Sequence, residues 1–305
     1  MDYVLRTFGL SKKYKRQLAV NEADMTISRG DIYGFVGENG SGKTTIIRLI
    51  TGLIFPCAGR FELFGVENTS KEIDSVRSKV GAVVENPSIY LNMSACDNLK
   101  MQCMLCGIPA DEKIAEILEV VGLGELLHDK KHASNYSLGM RQRLGIAMAL
   151  VNEPEFLILD EPMNGLDPAG IVEIRELILK LNRERNITFL ISSHILSELS
   201  LVATKYGIIS KGHVIKEITA EQLHEEMSKT TDIMVDQPEA LYQLFESNKQ
   251  KRFSHIPNGV RFLGEVDLNE ILSAIIAQGI HITAVNCRES SFEDYYLETI
   301  GGKHK

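Results

Sequence analysis

The sequence predicts an α/β protein: a core with a largely parallel sheet over residues 1–216, followed by a small α+β accessory domain over 217–305. Three observations predict it. The runs 156–159 and 188–192 are almost wholly apolar, as strands covered on both faces are. Such runs alternate with segments of helical period; Ile46, Leu49, Ile50 and Leu53 stand at i, i+3, i+4, i+7. After Lys216 the texture changes to short strand-like pieces between helices. At roughly 150 residues per domain, 305 residues leave room for two.

In chain order, 31–36 reads as a strand that ends at a glycine, and the helix of Ile46 follows. A strand is expected at 80–84. A helix-like, methionine-bearing stretch (Met93, Met101, Met104) then leads to Ser137, placed to cap a helix whose buried face is Leu144, Ala147, Met148 and Val151. Segments 207–210 and 213–215 form a hairpin turning at Lys211-Gly212. Beyond the core, 220–229 is helical and polar. Leu268, Ile271, Leu272, Ile275 and Ile276 mark a helix beside a strand at 281–285.

Composition excludes several classes. Hydrophobic residues make up 44% and charged residues 24%, which rules out a mostly disordered chain. Lys plus Arg number 33 and Asp plus Glu 41, a formal charge of −8, which disfavours a nucleic-acid partner. Five cysteines at irregular spacing argue for a reducing compartment rather than a disulfide framework. Cys103-x-x-Cys106 has redox spacing but no second pair, and reads as packed thiols. The basic run 249–252 reads as loop decoration. No leader-like stretch stands at 1–15, and no run of about 18 apolar residues predicts a membrane span.

Chemistry concentrates at the ends of the expected strands. Gly37-Glu38-Asn39-Gly40-Ser41-Gly42-Lys43-Thr44 fits G-x-x-x-x-G-K-[ST], after a strand and opening a helix. Its glycines let backbone N–H groups curl inward onto phosphate oxygens, and the helix start adds its free N–H groups. Lys43 is expected to bridge the β- and γ-phosphates and Thr44, with Thr45 beside it, to offer a hydroxyl to Mg²⁺. The buried run 156–159 ends in Asp160-Glu161, and two carboxylates there are costly unless a cation is near. Asp160 is expected to hold Mg²⁺ and Glu161 to polarise the attacking water as general base.

Between these two signals lies Tyr136-Ser137-Leu138-Gly139-Met140-Arg141-Gln142, and after them Ser192-Ser193-His194. A lysine loop, a Ser-x-Gly opening a helix, an apolar strand ending Asp-Glu and then a lone His, in that order, resemble the ATP-binding subunit of ABC transporters. The family's Leu-Ser-Gly-Gly-Gln is kept here only at Ser137 and Gly139. The resemblance covers about 1–216. It implies a P-loop nucleotide-hydrolase core with a helical subdomain at about 86–150, ATP and Mg²⁺ as ligands, and a homodimer that sandwiches ATP. It implies a separate membrane permease and a place on the cytoplasmic face of the cell membrane. Residue by residue, it makes Tyr14, 29 positions before Lys43, the adenine-stacking aromatic. Asp167 becomes the acid of the loop crossing the dimer interface, and His194 the γ-phosphate contact that helps position water and Glu161.

One departure is informative. Where the family has Gln, this chain has Glu85, followed by Asn86-Pro87. A carboxylate can ligate Mg²⁺ at least as well as an amide oxygen. Glu at this place resembles the exporters of bacitracin and lantibiotics, which implies a peptide-antibiotic cargo handled by the permease. The alternative is a soluble ABC ATPase acting on ribosomes or nucleic acid. Against it stand a single ATP cassette, the charge of −8 and the 94 positions from Lys43 to Ser137, which hold no heptad tract. A nucleotide kinase or GTPase leaves Ser137 and His194 without a role.

Overall fold

The computed structural model describes residues 3–15, 17–227, 229–246, 253–263, 266–289 and 291–301. The basic run 249–252 lies outside the described residues. The chain divides into two compact units, Met1–Ala220 and Glu221–Lys305.

The first unit runs β1 (Tyr3–Tyr14), β2 (Gln17–Ser28), β3 (Ile32–Val36), α1 (Lys43–Ile50), β4 (Ala58–Leu63), β5 (Val66–Glu67), α2 (Ile73–Arg77), β6 (Val80–Val83), α3 (Ala95–Cys106) and α4 (Asp111–Val120). It continues through α5 (Leu138–Leu150), β7 (Phe156–Asp160), α6 (Pro168–Arg185), β8 (Thr188–Ser193), α7 (Leu196–Leu199), β9 (Lys205–Ser210) and β10 (His213–Thr219). A six-stranded sheet has the order β10-β9-β3-β8-β7-β6. β3 lies parallel to β8 and β9, β7 parallel to β6 and β8, and only the β9–β10 hairpin is antiparallel. β3, β7 and β8 are buried at every residue, which is why their sequences carry no alternation.

A second, antiparallel sheet of order β2-β1-β4-β5 is an addition to the sequence reading. Its strands hide from periodicity because β1 and β2 shift register four times along their pairing. Val4, Leu10, Val20, Met25 and Ile27 of this sheet share one core with Ile46, Leu49 and Ile50 of α1 and with Phe35 of β3.

Two helix faces differ from expectation. α1 stops at Ile50, because Thr51 turns its hydroxyl back to Ile47 O and Gly52 takes φ +79°. Leu53 therefore leaves the apolar stripe and is 64% exposed. In α5, Leu144 and Ala147 are buried as expected, but so are Ile146 and Leu150, while Met148 is only half-buried. That helix is packed on more than one side. Cys103 is buried on α3, as a packed thiol would be.

The end of the six-stranded sheet remote from the strand carboxyl termini is tied by polar groups. Glu155, just before β7, meets Arg29 at 2.5 Å and Lys79 at 2.8 Å, and both hydrogen bonds hold its carboxyl below the usual range. The Asn182 amide donates to Gly30 O and Ile187 O, both at 2.9 Å.

The second unit contains most of α8 (Ala220–Glu226), then β11 (Lys229–Val235), α9 (Pro238–Glu246), β12 (Phe253–Ile256), β13 (Gly259–Leu263), α10 (Leu268–Ala277), β14 (Ile282–Glu289) and α11 (Phe292–Gly301). Its antiparallel sheet has the order β12-β13-β11-β14. Ile233, Val260 and Phe262 of the sheet pack with Leu241 and Phe245 of α9 and with Ile271 and Ile275 of α10. Asp267 caps α10 by accepting from Asn269 N and Glu270 N. Ile276, expected on the buried face, is 65% exposed.

Candidate functional site

Parallel strands end on the same edge of a sheet, and this edge collects the chemistry. β3 delivers loop 37–42, β6 delivers Glu85, β7 delivers Asp160 and Glu161, and β8 delivers Ser192 and then His194.

The loop at 37–42 needs its glycines where the backbone approaches itself. Gly42 has φ +115°, and a Cβ there would stand 2.6 Å from Ala19 O. A Cβ on Gly37 would stand 2.5 Å from Ile209 O. Gly40 has φ +81° and open space at its Cβ position. Asn39 and Gly40 are exposed on the rim. α1 then starts at Lys43 with no side-chain cap, so its first-turn N–H groups face the loop without a side-chain partner. Lys43 is 6% exposed. Its ammonium donates to Gly37 O at 2.6 Å and lies 3.3 Å from Glu161 Oε1. The Ser41 hydroxyl is buried without a hydrogen-bond partner. A buried orphan hydroxyl, a Cβ-free cradle and a sunken ammonium together suit an anion with many acceptor oxygens.

Beside this loop opens a cleft of about 450 Å³. Leu18, Asn39, Lys43, Thr45, Glu161 and Lys211 are among the residues that line it. Tyr14 is not in its wall. It stands at the end of β1, 40% exposed, with Lys12 Nζ 5.5 Å from its ring centre. A second cleft, of about 290 Å³, shares Thr44 and Glu161 with the first and adds Glu85, Leu138, Gln142 and Asp160.

A directed hydrogen-bond chain joins the strand ends. Thr44 Oγ1 donates to Asp160 Oδ2 at 2.9 Å. Ser192 Oγ donates to Asp160 Oδ1 at 2.5 Å and accepts from Glu161 N at 2.9 Å. Glu161 has φ +51°, a left-handed backbone that turns its side chain off the course of β7. Its Oε2 meets His194 Nδ1 at 2.6 Å. With Glu161 ionised, the imidazole donates from Nδ1 and leaves Nε2 for another contact. Thr44 and Asp160 offer hard oxygens, the donor type Mg²⁺ takes when phosphate and water complete its shell.

Glu85 lies in the second cleft with φ +60°, and Arg48 Nη2 holds its Oε1 at 2.5 Å. Ser137 and Gly139 are elsewhere: within one chain neither lines either cleft. Ser137 caps α5, accepting from Met140 N at 3.1 Å. Asp167 caps α6, accepting from Gly170 N at 3.1 Å.

Sequence reasoning did not find Ser192, Arg48 or Gln142. Ser192 could have been noticed as a hydroxyl at the ligand end of an apolar strand, and Arg48 as the residue one helical turn after Thr44.

Comparison with known proteins shows the family and the fold. The ABC transporter family model matches residues 20–164. The chain is 38% identical over 304 residues to the bacitracin transport ATP-binding protein BcrA of Enterococcus faecalis, covering 99% of this chain and 98% of that one. It is 41% identical over 214 residues to the lantibiotic transport ATP-binding protein SrtF of Streptococcus pyogenes, covering 70% and 90%. Among solved structures, CbiO1 of Clostridium perfringens, part of the ABC transporter complex CbiONQ, superposes with a TM-score of 0.67 at 29% identity. It covers 74% of this chain and 92% of its own.

Proposed function

This chain belongs to the ABC transporter family as an ATP-binding, ATP-hydrolysing subunit, and we propose that it powers export of a peptide antibiotic through a separate membrane permease. The cargo class rests on likeness to BcrA, which runs through the second unit as well as the first, and to SrtF. Among the described residues no helix is long and apolar enough to cross a membrane; in this reading the path for cargo lies in the permease. The chain would act on the cytoplasmic face of that membrane.

The observation that carries the ATPase reading is the chain of contacts from Thr44 through Asp160 and Ser192 to Glu161 and His194, with Lys43 beside it. In the proposed site, adenine stacks on Tyr14 and the N–H groups of 37–42 hold the phosphates. Lys43 exchanges its contact with Glu161 for the β- and γ-phosphates. Thr44, Asp160 and Glu85 are the residues that would hold Mg²⁺, which when bound neutralises phosphate charge and fixes its geometry. Glu161 takes a proton from the attacking water, and His194 steadies it through Nδ1. Ser137 and Gly139 of a second copy close the far side of the nucleotide, with Asp167 near the seam between copies.

The test is Glu161→Gln. The variant keeps ATP affinity, loses about 100-fold or more in turnover, and accumulates an ATP-bound dimer on size exclusion. Wild-type turnover removes Glu161 from its role. Affinity purification from native membranes tests the transport half: a stoichiometric multi-span protein supports it, and a clean soluble dimer overturns it.

A further inference from the structure

We propose that Arg48 is a positioning residue of the nucleotide site: its guanidinium holds and neutralises the Glu85 carboxylate, so that the cleft accepts a triphosphate. The inference rests on the nucleotide-binding reading above and goes beyond it by giving a task to a residue that touches no reacting atom.

The placement begins on α1. Thr44 and Arg48 are four residues apart, so they share one face of the helix and are adjacent on it. Thr44, Thr45 and Arg48 are its half-buried residues, while Ile46, Ile47, Leu49 and Ile50 turn into the core. The exposed face thus reaches the strand ends twice. Thr44 bonds Asp160, the last residue of β7, and one turn later Arg48 bonds Glu85, two residues after β6. Both acids stand at the carboxyl ends of neighbouring parallel strands, β6 and β7.

Charge gives the pairing its purpose. Thr44, Glu85, Asp160 and Glu161 line one cleft, so three carboxylates face the same space. Lys43 is already engaged by Glu161 and by the carbonyls of Gly37 and Glu38. Where an amide at position 85 would add no charge, a carboxylate adds one that opposes a triphosphate. Glu85 also sits at φ +60°, a conformation that side chains other than glycine rarely adopt, so strand alternation does not aim it. Arg48 is the group that fixes its direction. The guanidinium and carboxylate are 38% and 55% exposed. An ion pair that open to water contributes little to folding. Its effect belongs in ligand affinity.

The experiment measures ATP binding to the full-length chain by titration calorimetry in EDTA, where no metal contributes and no hydrolysis occurs. The variants are Arg48→Met, Glu85→Gln, the double variant and Arg48→Lys, each with its melting temperature recorded. Arg48→Met is expected to weaken ATP binding about 5- to 10-fold, by leaving one uncompensated charge in the cleft that the polyanion enters. Raising salt to about 0.5 M shrinks that defect. The double variant returns to within about twofold of wild type, because the charge to be neutralised is gone. Arg48→Lys retains most affinity, and melting temperatures stay close to wild type. Wild-type affinity in Arg48→Met overturns the proposal. So does a double variant as weak as Arg48→Met, because Arg48 would then meet the nucleotide itself. Lys43→Ala serves as the separate control: undiminished ATP binding there sinks the phosphate-cradle reading, whatever Arg48 does.

Discussion

Removing the Ser192 hydroxyl should cost both stability and turnover, and the two effects have separate sources. Ser192 is fully buried. In Ser192→Ala, Asp160 Oδ1 loses the donor that stands 2.5 Å away. A hydrogen bond to a charged acceptor contributes about 1.5–3 kcal/mol, so a loss of about 2 kcal/mol is expected. For a unit of this size that lowers the melting temperature by about 4–8 °C. Glu161 N is affected less, because it also lies 3.2 Å from Ser192 O. What it loses is lateral restraint on a left-handed residue whose carboxylate must be aimed. A misaimed general base costs about 10- to 100-fold in kcat. Ser192 lies in the wall of neither cleft and is not expected to touch the nucleotide, so KM should move less than kcat. The assay is steady-state ATPase kinetics beside scanning calorimetry, with Ser192→Thr as the variant that retains a hydroxyl. Ser192→Thr should recover most of kcat. An alanine variant with wild-type kcat, or a threonine variant as slow as alanine, refutes the reasoning.

Two further outcomes follow from charge. The Lys79 and Arg29 contacts depress the Glu155 carboxyl, so its stabilisation is complete above the ordinary glutamate value of 4.5 and is lost as pH falls from there through the depressed one. Glu155→Gln should therefore melt lower at pH 7, by under about 1 kcal/mol given the side chain's exposure, with the gap to wild type narrowing as pH falls below 4.5; melting curves that stay parallel through the whole acid range would contradict it. In the second unit, Arg261 grips the buried Asp232 through Nε at 2.6 Å and Nη2 at 2.8 Å. Arg261→Met should destabilise that unit by about 2–3 kcal/mol, with Asp232→Asn added to it recovering part, as judged by denaturant unfolding; a loss below 1 kcal/mol would show the pair to be dispensable.

What the sequence made legible was local. The lysine loop, the Asp160-Glu161 strand end and the Ser137 cap each lie within a few consecutive residues, where residue type alone carries the physics. The relations between them were not legible. Ser192 matters because the β7–β8 register sets it opposite Asp160, and register between distant strands leaves no mark in composition. Arg48 and Glu85 are 37 residues apart, and nothing in Glu85-Asn86-Pro87 announces a positive φ. The β2-β1-β4-β5 sheet was hidden by bulges, and Leu53 was credited to a helix that Gly52 had already ended.

The six-stranded sheet is fixed at one end and carries an incomplete site at the other. Glu155 joins the Arg29 turn to Lys79 ahead of β6, and Asn182 ties α6 to Gly30, all remote from the chemistry. With that end fixed, the strand carboxyl termini hold Asp160 and Glu161 where Thr44 meets the first and Lys43 and His194 meet the second. Ser137 and Gly139 have no such tether to the cleft. Ser137 spends its hydroxyl oxygen on Met140 N, and Gly139 opens a helix start that no carboxylate occupies. An exposed helix start with a glycine that lets an oxygen-rich ligand approach is half of a phosphate site. Its own chain supplies no lysine loop to fill it. In the proposed dimer, a second copy supplies that loop, so ATP is what each chain lacks at one site and holds at the other. Nucleotide binding and association then become one equilibrium, which is why Glu161→Gln should report on both at once.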